Sequence, residues 1–411
     1  MSVDMKVPEI RFEGFSGEWV QSNLAECTDL LTGNPFNSKK FIADGIFLVR
    51  GMNVKRGYLD TSSNLSEYWS SSKGLERYLL EPEDIVIQMD GALIGKSYAK
   101  INSNNLPAIL VQRVTRVRCN KVEADLIYQY IQKDFLKHIS GIKTETAVPH
   151  LSLHDIRNFQ VFLPEEKEQI QIGNTFQKLD SLINQHQQKH DKLSSIKKAM
   201  LEKIFPKSGE TVPQIRFKGF SGEWEESSLF EETIVSTGFP FDSSDFCGSG
   251  NLLVITNGNI QNSSSAVNGK VGNRIANEKV DLLNQYALNI GDILVTMDGS
   301  VGRTAKVIEP NQILAQRVGR LVAKNNTEFL YQSLNTGAFL DGMTTISHGG
   351  TIKHISLSEI GSYRLLVPDN LEEQEKIGNY LKKLDTLINQ HQQQITRLTH
   401  IKQACLSKMF V

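Results

Sequence analysis

The chain contains one arrangement of residues twice. Residues 7–19 (VPEIRFEGFSGEW) recur as residues 212–224 (VPQIRFKGFSGEW), with eleven of thirteen positions identical. Residues 178–205 recur at the same spacing as residues 383–410, with 17 of 28 positions identical. Because recurrence at a fixed period indicates a duplicated structural unit, we predict two related halves. Each half is a divergent globular domain followed by a shared segment.

Short motifs also recur inside the divergent domains. Their spacing drifts by a few residues, as loop insertions within one fold would produce. The motifs are Gly-x-Pro-Phe at 33–36 and 238–241, Met-Asp-Gly at 89–91 and 297–299, and Gln-Arg-Val at 112–114 and 316–318. We therefore expect one fold in both halves, related by a pseudo-two-fold axis.

The shared segments have the spacing of long helices. In the first, ten apolar or bulky positions alternate in steps of four and three, which is typical of a heptad seam. These positions are Ile172, Phe176, Leu179, Ile183, His186, His190, Leu193, Lys197, Met200 and Ile204, and the second copy repeats them from Ile377 to Met409. Residues 165–205 would form roughly 60 Å of helix.

Two such helices can pair antiparallel, and the alternative is that each packs only on its own domain. The residues predicted at helix or partner contacts are Leu179, Leu182, Ile183, His186, Leu193, Ile196, Leu384, Leu387, Ile388, His391, Leu398 and Ile401. We expect His186 and His391 to fix the register of the pair rather than to bind a metal, because no carboxylate or cysteine with ligand spacing lies beside them.

The predicted fold class is α/β (α+β), with a small mixed sheet and one or two helices in each globular domain. Short apolar runs at 85–89 and 293–297 are typical of strands, and residues 126–139 have helical spacing. The predicted boundaries are a first domain at 1–160, a helix at 164–206, a second domain at 207–364 and a helix at 368–411.

The bulk composition limits the function classes. The formal net charge is only −1, from 45 basic and 46 acidic side chains, so nucleic-acid contact requires local basic surfaces. Four scattered cysteines without a C-x-x-C pair argue against a disulfide framework or a structural zinc site. Since the sequence also lacks a signal-peptide pattern and a long apolar run, we expect a cytoplasmic protein.

Basic and amide side chains of the domains are candidates for DNA contact, although a solvated surface role remains the alternative for each. Arginine pairs with guanine and asparagine or glutamine with adenine, so unlike loops on one scaffold predict unlike target sequences. Arg116 and Arg118 would share one face of a strand. The candidates are Arg50, Asn53, Lys55, Arg56, Lys96, Arg113, Arg116, Arg118, Asn257, Asn259, Gln261, Arg303, Arg317 and Arg320.

Catalytic motifs are present only as near-misses. Residues 91–97 have one residue too few between the glycines of a phosphate-binding loop, and Arg303 replaces the lysine in the second copy. Residues 34–36 lack a proline of the amino-methyltransferase motif, so a turn shared by the two domains explains them better. His150 and His154 lack the acidic partner of a zinc protease. We predict no catalytic residue and no metal site.

Taken together, these motifs resemble those of the specificity subunit of type I restriction-modification enzymes. The resemblance covers both halves and includes His-x-Ser-Leu-x-x-Ile leading to Pro164 or Pro368 and Lys-Leu-Asp-x-Leu-Ile in each helix. It implies two target-recognition domains that each bind one part of a split, asymmetric DNA site. It also implies that the antiparallel helix pair sets the unread spacer.

The resemblance further implies partners that carry the chemistry. Two methyltransferase subunits would dock on the helices and modify adenine after flipping it from the duplex, and restriction and translocase subunits would join them. S-adenosylmethionine, ATP and Mg would belong to those partners, with no cofactor in this chain. The alternatives are a self-contained methyltransferase or nuclease, and a structural coiled-coil adaptor that does not contact DNA.

Overall fold

The computed structural model describes residues 7–140, 150–261, 264–276 and 284–411. The chain divides into two compact units, Met1–Gln187 with Gln393–Val411 and Gln188–Gln392. We call these the first and second units. The division falls within both shared segments. Each unit therefore consists of one divergent domain together with a part of each shared segment.

Both shared segments are long helices. The first long helix is Glu166–Ile204 and the second is Leu371–Lys408, which confirms the helices predicted there. Acidic side chains occupy the first turn of each, where they interact favourably with the positive end of the helix dipole. Every predicted seam position is partly or fully buried, while most of the intervening positions are exposed.

The two helices pack against each other within each unit. In the first unit Lys402 donates to Asp180 at 2.7 Å. This hydrogen bond places the carboxyl-terminal part of the second long helix beside the amino-terminal part of the first long helix. In the second unit Lys197 donates to Asp385 at 2.6 Å, which brings the end of the first helix beside the start of the second. The antiparallel pairing is therefore confirmed, and the alternative of helices packed only on their own domains is wrong.

Among the described residues, each unit contains nine strands. Those of the first unit are β1 Val20–Asn23, β2 Thr28–Thr32, β3 Ile46–Val49, β4 Tyr68–Trp69, β5 Ile85–Gln88, β6 Tyr98–Lys100, β7 Ala108–Leu110, β8 Val114–Cys119 and β9 Gln160–Leu163. Those of the second unit are β10 Glu225–Ser228, β11 Thr233–Thr237, β12 Leu252–Ile255, β13 Arg274–Ile275, β14 Ile293–Thr296, β15 Thr304–Lys306, β16 Gln312–Leu314, β17 Val318–Ala323 and β18 Arg364–Val367.

The sheet topology of the two units is the same. A four-stranded antiparallel sheet has the order β2-β8-β5-β6 in the first unit and β11-β17-β14-β15 in the second. A three-stranded mixed sheet has the order β4-β3-β7 or β13-β12-β16, with one parallel pair each. A two-stranded ribbon, β1-β9 or β10-β18, completes each unit. The expected strands at 85–89 and 293–297 are confirmed as β5 and β14, and the expected small mixed sheet is present in each unit beside a separate antiparallel sheet.

Short helices connect the strands in both units. In the first they are Leu24–Cys27, Ala124–Tyr130, Leu136–Ser140 and Leu153–Arg157, with a π-helical turn Ile131–Phe135. In the second they are Leu229–Glu232, Thr327–Leu334, Ala338–Ile346 and Leu357–Gly361. The hydroxyls of Ser152 and Ser356 cap equivalent helices by accepting from Asp155 N and Glu359 N, both at 3.2 Å.

The repeated segments 7–19 and 212–224 bind the start of a long helix. Arg11 forms a bidentate ion pair with Glu168 at 2.7 and 2.6 Å, and Arg216 forms the same pair with Glu373 at 2.7 and 2.8 Å. Both glutamates are fully buried. The hydrogen bond to Glu168 raises the pKa of Arg11. Because a buried carboxylate requires a partner, this pairing explains why the arginine recurs.

The same repeated segments bind the end of the other long helix. The backbone N–H of Ile10 donates to the carbonyl of Lys408 at 2.9 Å, and that of Ile215 donates to Lys203 at 2.9 Å. These bonds satisfy carbonyls that a helix end leaves without an intrahelical partner. Each repeated segment therefore joins the start of one long helix to the end of the other within its unit.

An aromatic residue after each long helix completes a core. Phe410 lies 6.3 Å from Trp19 between ring centroids in the first unit, and Phe205 lies 6.0 Å from Trp224 in the second. All four side chains are buried. Edge-to-face packing of this kind is the favoured geometry of aromatic pairs.

The Gly-x-Pro-Phe motifs mark a close approach of backbones. A Cβ on Gly33 would lie 2.3 Å from the carbonyl oxygen of Val111, and one on Gly238 would lie 2.1 Å from that of Leu314. Only glycine fits such a contact. A shared structural requirement therefore explains the motif, as predicted, and no methyltransferase motif is needed.

Candidate nucleic-acid interface

The loops that follow β3 and β12 are each held by one buried asparagine. In the first unit Asn53 accepts from Arg50 N at 3.2 Å and donates to Asp60 O and Leu65 O, both at 3.0 Å. Because its side chain is completely buried, it shapes the loop from within. The prediction that Asn53 contacts DNA does not hold.

The second unit repeats this arrangement with Asn259. Its side chain accepts from Thr256 N at 2.9 Å and donates to Asn268 O at 2.8 Å and Val271 O at 2.7 Å. It is 4% exposed, so the prediction of DNA contact does not hold here either. The two loops differ in sequence, but each is held from within by an equivalent buried asparagine.

The outward side chains of these loops differ between the units. The first carries exposed Arg56 and half-buried Lys55. The second carries exposed Gln261 and half-buried Asn257, whose side-chain oxygen accepts from Met297 N at 3.2 Å. Arg50 is already occupied, because it donates to a backbone carbonyl at 2.6 Å and lies over an aromatic ring. The loops therefore present a basic surface in one unit and an exposed amide in the other, which keeps Lys55, Arg56 and Gln261 as candidates, whereas Asn257 is engaged within its unit.

The arginines of β8 stabilise the domain instead of facing outward. Arg116 is 4% exposed and pairs with Asp29. Arg118 donates twice to Asp84, at 2.7 Å each, and these hydrogen bonds raise its pKa. The predicted common face is thus directed at carboxylates. The prediction of DNA contact is wrong for Arg116 and is not supported for Arg118.

Arg320 of β17 has the same role in the second unit. It lies 2.7 Å from Asp292, and the side chains are 11% and 4% exposed. A guanidinium held by a buried carboxylate cannot reach a duplex without breaking that pair. The prediction of DNA contact is therefore not supported for Arg320.

Some candidates line concave surfaces beside the long helices. In the second unit Gln261 and Arg303 line a cavity of about 380 Å3 that also includes Lys197 and Asp385. In the first unit Arg56 lines a cavity of about 750 Å3. Lys96 is exposed and lines neither cavity.

The Gln-Arg-Val motifs present one arginine each. Arg113 and Arg317 are more than half exposed, with side-chain exposures of 59% and 55%. Each lies beside an aspartate of the Met-Asp-Gly motif and a histidine, Asp90 with His150 and Asp298 with His354. The Met-Asp-Gly repeats and His150 are visible in the sequence, but nothing there indicates that these aspartates and histidines contact the arginines. The signal that could have indicated it is that each of them recurs in the second half at nearly the same offset as the arginine.

Of the twelve residues predicted at helix or partner contacts, ten are shielded from solvent and two are exposed. Leu179, Ile183, His186, Leu193, Ile196, Leu384, Leu387, Ile388, His391 and Leu398 are half-buried or buried. Leu182 and Ile401, in contrast, are exposed by 42% and 40%. These two apolar side chains point away from the seam and remain candidates for partner contact.

Each helix pair is also bound to its domain by a glutamine. Gln332 donates to Asp385 at 2.8 Å in the second unit, and Gln129 donates to Asp180 at 3.4 Å in the first. Both glutamines are fully buried. Each aspartate therefore accepts from a lysine of the other helix and from a glutamine of the domain.

Across residues 7–140, 150–261, 264–276 and 284–411, no helix is long and apolar enough to span a membrane. Over the same ranges, no group of three or more His, Cys, Asp or Glu side chains has a geometry that could hold a metal ion.

Comparison with known sequences decides the family. The sequence model described as "Type I restriction modification DNA specificity domain" matches residues 16–195 and again residues 222–400. The chain belongs to this family. The expected function, a type I specificity subunit with two target-recognition domains, is confirmed at this level, and the alternative of a self-contained enzyme is not favoured. Each match covers most of one unit and ends within the long helix that continues into the other.

Two related proteins and one solved structure are also similar to this chain. The Type I restriction enzyme MjaVIII specificity subunit of Methanocaldococcus jannaschii is 25% identical over 327 residues, which span 75% of this chain and 74% of that protein. The Type I restriction enzyme EcoAI specificity subunit of Escherichia coli is 28% identical over 169 residues, 40% of this chain and 28% of that protein. The crystal structure of a type I restriction-modification S subunit from M. genitalium has a TM-score of 0.66 at 14% identity. It covers 98% of this chain and 99% of that one, so the fold is shared.

Proposed function

We propose that each specificity domain binds one part of a bipartite, asymmetric DNA site and that the long helices set the spacer between the parts. The observation that carries this proposal is that equivalent loops are held by the same buried hydrogen bonds in both units but present different side chains to solvent. Asn53 and Asn259 hold equivalent loops, yet one loop presents Arg56 and the other presents Gln261. Since basic and amide side chains prefer different bases, the two domains would recognise different half-sites.

The spacing role follows from the continuity of the helices. Each long helix begins in one unit and ends in the other, and a paired helix is a stiff element of fixed rise per residue. The ion pairs Lys402–Asp180 and Lys197–Asp385 fix which parts of the helices face each other. A change in helix length would therefore change the recognised spacer.

The proposal assigns the chemistry to partners. Two methyltransferase subunits would dock on the outer faces of the helices, where Leu182 and Ile401 are exposed, and restriction and translocase subunits would complete the assembly. S-adenosylmethionine, ATP and Mg would be bound by those partners and no cofactor by this chain. We place this work in the cytoplasm, where the DNA is accessible.

Domain exchange tests the division of the site. The chain is assembled with methyltransferase subunits, and the methylated adenines are located by sequencing. Replacing residues 20–150 with those of a relative should change the bases of one half-site and leave the other half and the spacer as they were. A change in both halves, or methylation by the isolated chain, would contradict the proposal.

Helix insertion tests the spacer. Four residues, about 6 Å of helix, are added after Gln187 and after Gln392, where the units divide. The spacer should lengthen by about one to two base pairs at about 3.4 Å each, with both half-sites unchanged. The control inserts the same four residues between positions 208 and 209, outside both long helices. An unchanged spacer in the helix variant would exclude the spacing role.

A further inference from the structure

The two units present one exposed arginine in the same way. In the first, Nη1 of Arg113 lies 2.8 Å from Oδ2 of Asp90 and 3.4 Å from Nδ1 of His150. His150 Nδ1 also contacts Oδ1 of the same aspartate. The carboxylate therefore holds the guanidinium on one side and the imidazole on the other.

The second unit repeats the cluster with the same residue types. Nη1 of Arg317 lies 3.8 Å from Oδ1 of Asp298 and 3.2 Å from Nδ1 of His354, and that Nδ1 lies 2.9 Å from Asp298 Oδ1. We call the two clusters the arginine triads. They consist of Asp90, Arg113 and His150, and of Asp298, Arg317 and His354.

The backbone holds each arginine in an uncommon conformation. Arg113 has φ 71° and Arg317 has φ 70°, the left-handed region that side chains other than glycine rarely adopt. Such strain persists where the surroundings over-determine it, and it concentrates at functional sites. A turn needed only to connect two strands would carry glycine or asparagine at this position, yet arginine stands there in both units.

Backbone hydrogen bonds join the three segments of each triad. Met89 N donates to Arg113 O at 2.9 Å, and Leu151 N donates to Met89 O at 2.7 Å. In the second unit Met297 N donates to Arg317 O at 3.3 Å, and Ile355 N donates to Met297 O at 2.9 Å. The residue before each aspartate is thus bonded to the arginine turn and to the residue after the histidine, which makes the site rigid.

The free edge of the guanidinium determines what the triads can bind. Only Nη1 contacts the aspartate and histidine. For Nε and Nη2 of both arginines, no hydrogen bond is found to any residue that the structure describes. Two parallel donors on a planar, permanently charged group match the oxygens of a phosphate. With side chains more than half exposed, this edge is accessible to a duplex.

The two triads contain the same residue types, which argues against a role of their arginines in distinguishing DNA bases. Side chains that distinguish two half-sites must differ between the domains, as Arg56 and Gln261 do. Side chains that are the same in both domains suit the part of DNA that is the same everywhere, which is the phosphate backbone. Phosphate contacts fix the register and orientation of a protein on the duplex and carry no sequence information directly.

We propose that Arg113 and Arg317 bind DNA phosphates as sequence-independent anchors, one in each specificity domain, and that Asp90 with His150 and Asp298 with His354 are positioning residues for them. This inference rests on the proposed DNA-binding function. It adds the chemical class of the contact and separates the anchors from the loop residues that read bases.

The test measures DNA affinity against salt concentration. The full chain, assembled with methyltransferase subunits, is titrated with a duplex that carries its methylated site and with a duplex of random sequence. Each of Arg113→Gln and Arg317→Gln should lower the magnitude of the slope of log K against log salt by about 0.9. Affinity should fall about tenfold on both duplexes, so the ratio of specific to random binding should stay constant.

Two controls separate charge from folding. Arg364 is 59% exposed and pairs with Glu226 at 3.7 Å, so Arg364→Gln removes a comparable arginine away from the triads and should leave the slope unchanged. Arg113→Lys retains the charge without the planar pair of donors, so it should retain the slope and lose part of the affinity. A slope unchanged in Arg113→Gln and Arg317→Gln would overturn the proposal.

The positioning residues are tested by non-additivity. His150→Ala should weaken binding about threefold in the wild-type background and not at all beside Arg113→Gln, because it acts through the arginine. An equal loss in both backgrounds would overturn the positioning role. A changed methylation motif in Arg113→Gln would show base reading and would also overturn the proposal. If the wild-type assembly does not prefer its site over random DNA, the proposed function itself fails.

Discussion

The first and second units differ most where they are exposed and least where they are buried. Asn53 and Asn259 are buried in loops whose outward residues share almost nothing, and Glu168 and Glu373 are buried beneath identical arginines. Recurrence at these positions therefore has a structural cause. The arginine triads recur without being buried, as do some exposed side chains of the repeated segments such as Glu18 and Glu223. The comparison teaches that recurrence indicates function only where burial does not already explain it.

The largest effect in this comparison is expected at the buried glutamates. Glu168→Gln and Glu373→Gln each leave a partly buried arginine without its charged partner, which costs about 3 kcal/mol or more of unfolding free energy. Chemical denaturation with hydrogen-exchange mass spectrometry should show the loss in the first unit for Glu168→Gln and in the second for Glu373→Gln.

Glu226→Gln is the matched control, because this glutamate forms an exposed pair with Arg364 and exposed pairs contribute little. Equal destabilisation by all three variants would contradict burial as the cause, and a large effect in only one unit would show that the two buried pairs are not equivalent.

A smaller and unequal effect is expected at the aspartates between the long helices. Asp385 accepts from Lys197 at 2.6 Å and Gln332 at 2.8 Å and is 16% exposed, whereas Asp180 is 31% exposed and its bond from Gln129 is 3.4 Å long. We expect Asp385→Asn to cost about 2 kcal/mol and Asp180→Asn about 1 kcal/mol. Double-mutant cycles with Lys197→Met and Lys402→Met measure both couplings. A stronger coupling in the first unit would contradict this order.

The smallest effect is expected at two helix caps, Glu26 and Glu231. The hydrogen bond from the Asn23 backbone lowers the pKa of Glu26 below its usual 4.5, and that from Ser228 does the same for Glu231. A lowered folded-state pKa gives stability that is present above the unfolded value and lost as pH falls through the folded one.

Glu26→Gln and Glu231→Gln should therefore lower Tm slightly at about pH 7, and the difference from wild type should shrink at about pH 3. Thermal unfolding at both pH values checks this. A difference that grows in acid would reverse the assigned sign.

The helices and the duplicated fold could be predicted because their signals are local and periodic. Seam positions such as Ile172 and Leu381 are spaced for burial, and the structure buries them. The sequence could not assign Leu182 and Ile401 to the helix contact or to an outer surface, because an apolar side chain beside a seam can widen the contact or face outward and the spacing does not distinguish the two.

The candidate site could be predicted only in part. Strand alternation correctly placed Arg116 and Arg118 on one face, but it could not show that Asp29 and Asp84 lie opposite, because their positions depend on strand pairing across distant segments. The support given by Asn53 was hidden for a different reason, because its partners are backbone groups of its own loop and the sequence does not show which backbone groups a side chain reaches.

The position of Phe410 has a consequence for synthesis on the ribosome. The second unit consists of one continuous stretch, whereas the first requires Gln393–Val411, and Phe410 packs against Trp19, Tyr130 and Phe176. The half translated first therefore cannot close its core until the half translated second is complete. During synthesis the aromatic pocket of the amino-terminal domain therefore stays unfilled until residue 410 has been added. A substitution near residue 410 would destabilise a core whose other residues lie up to about 400 positions earlier in the sequence.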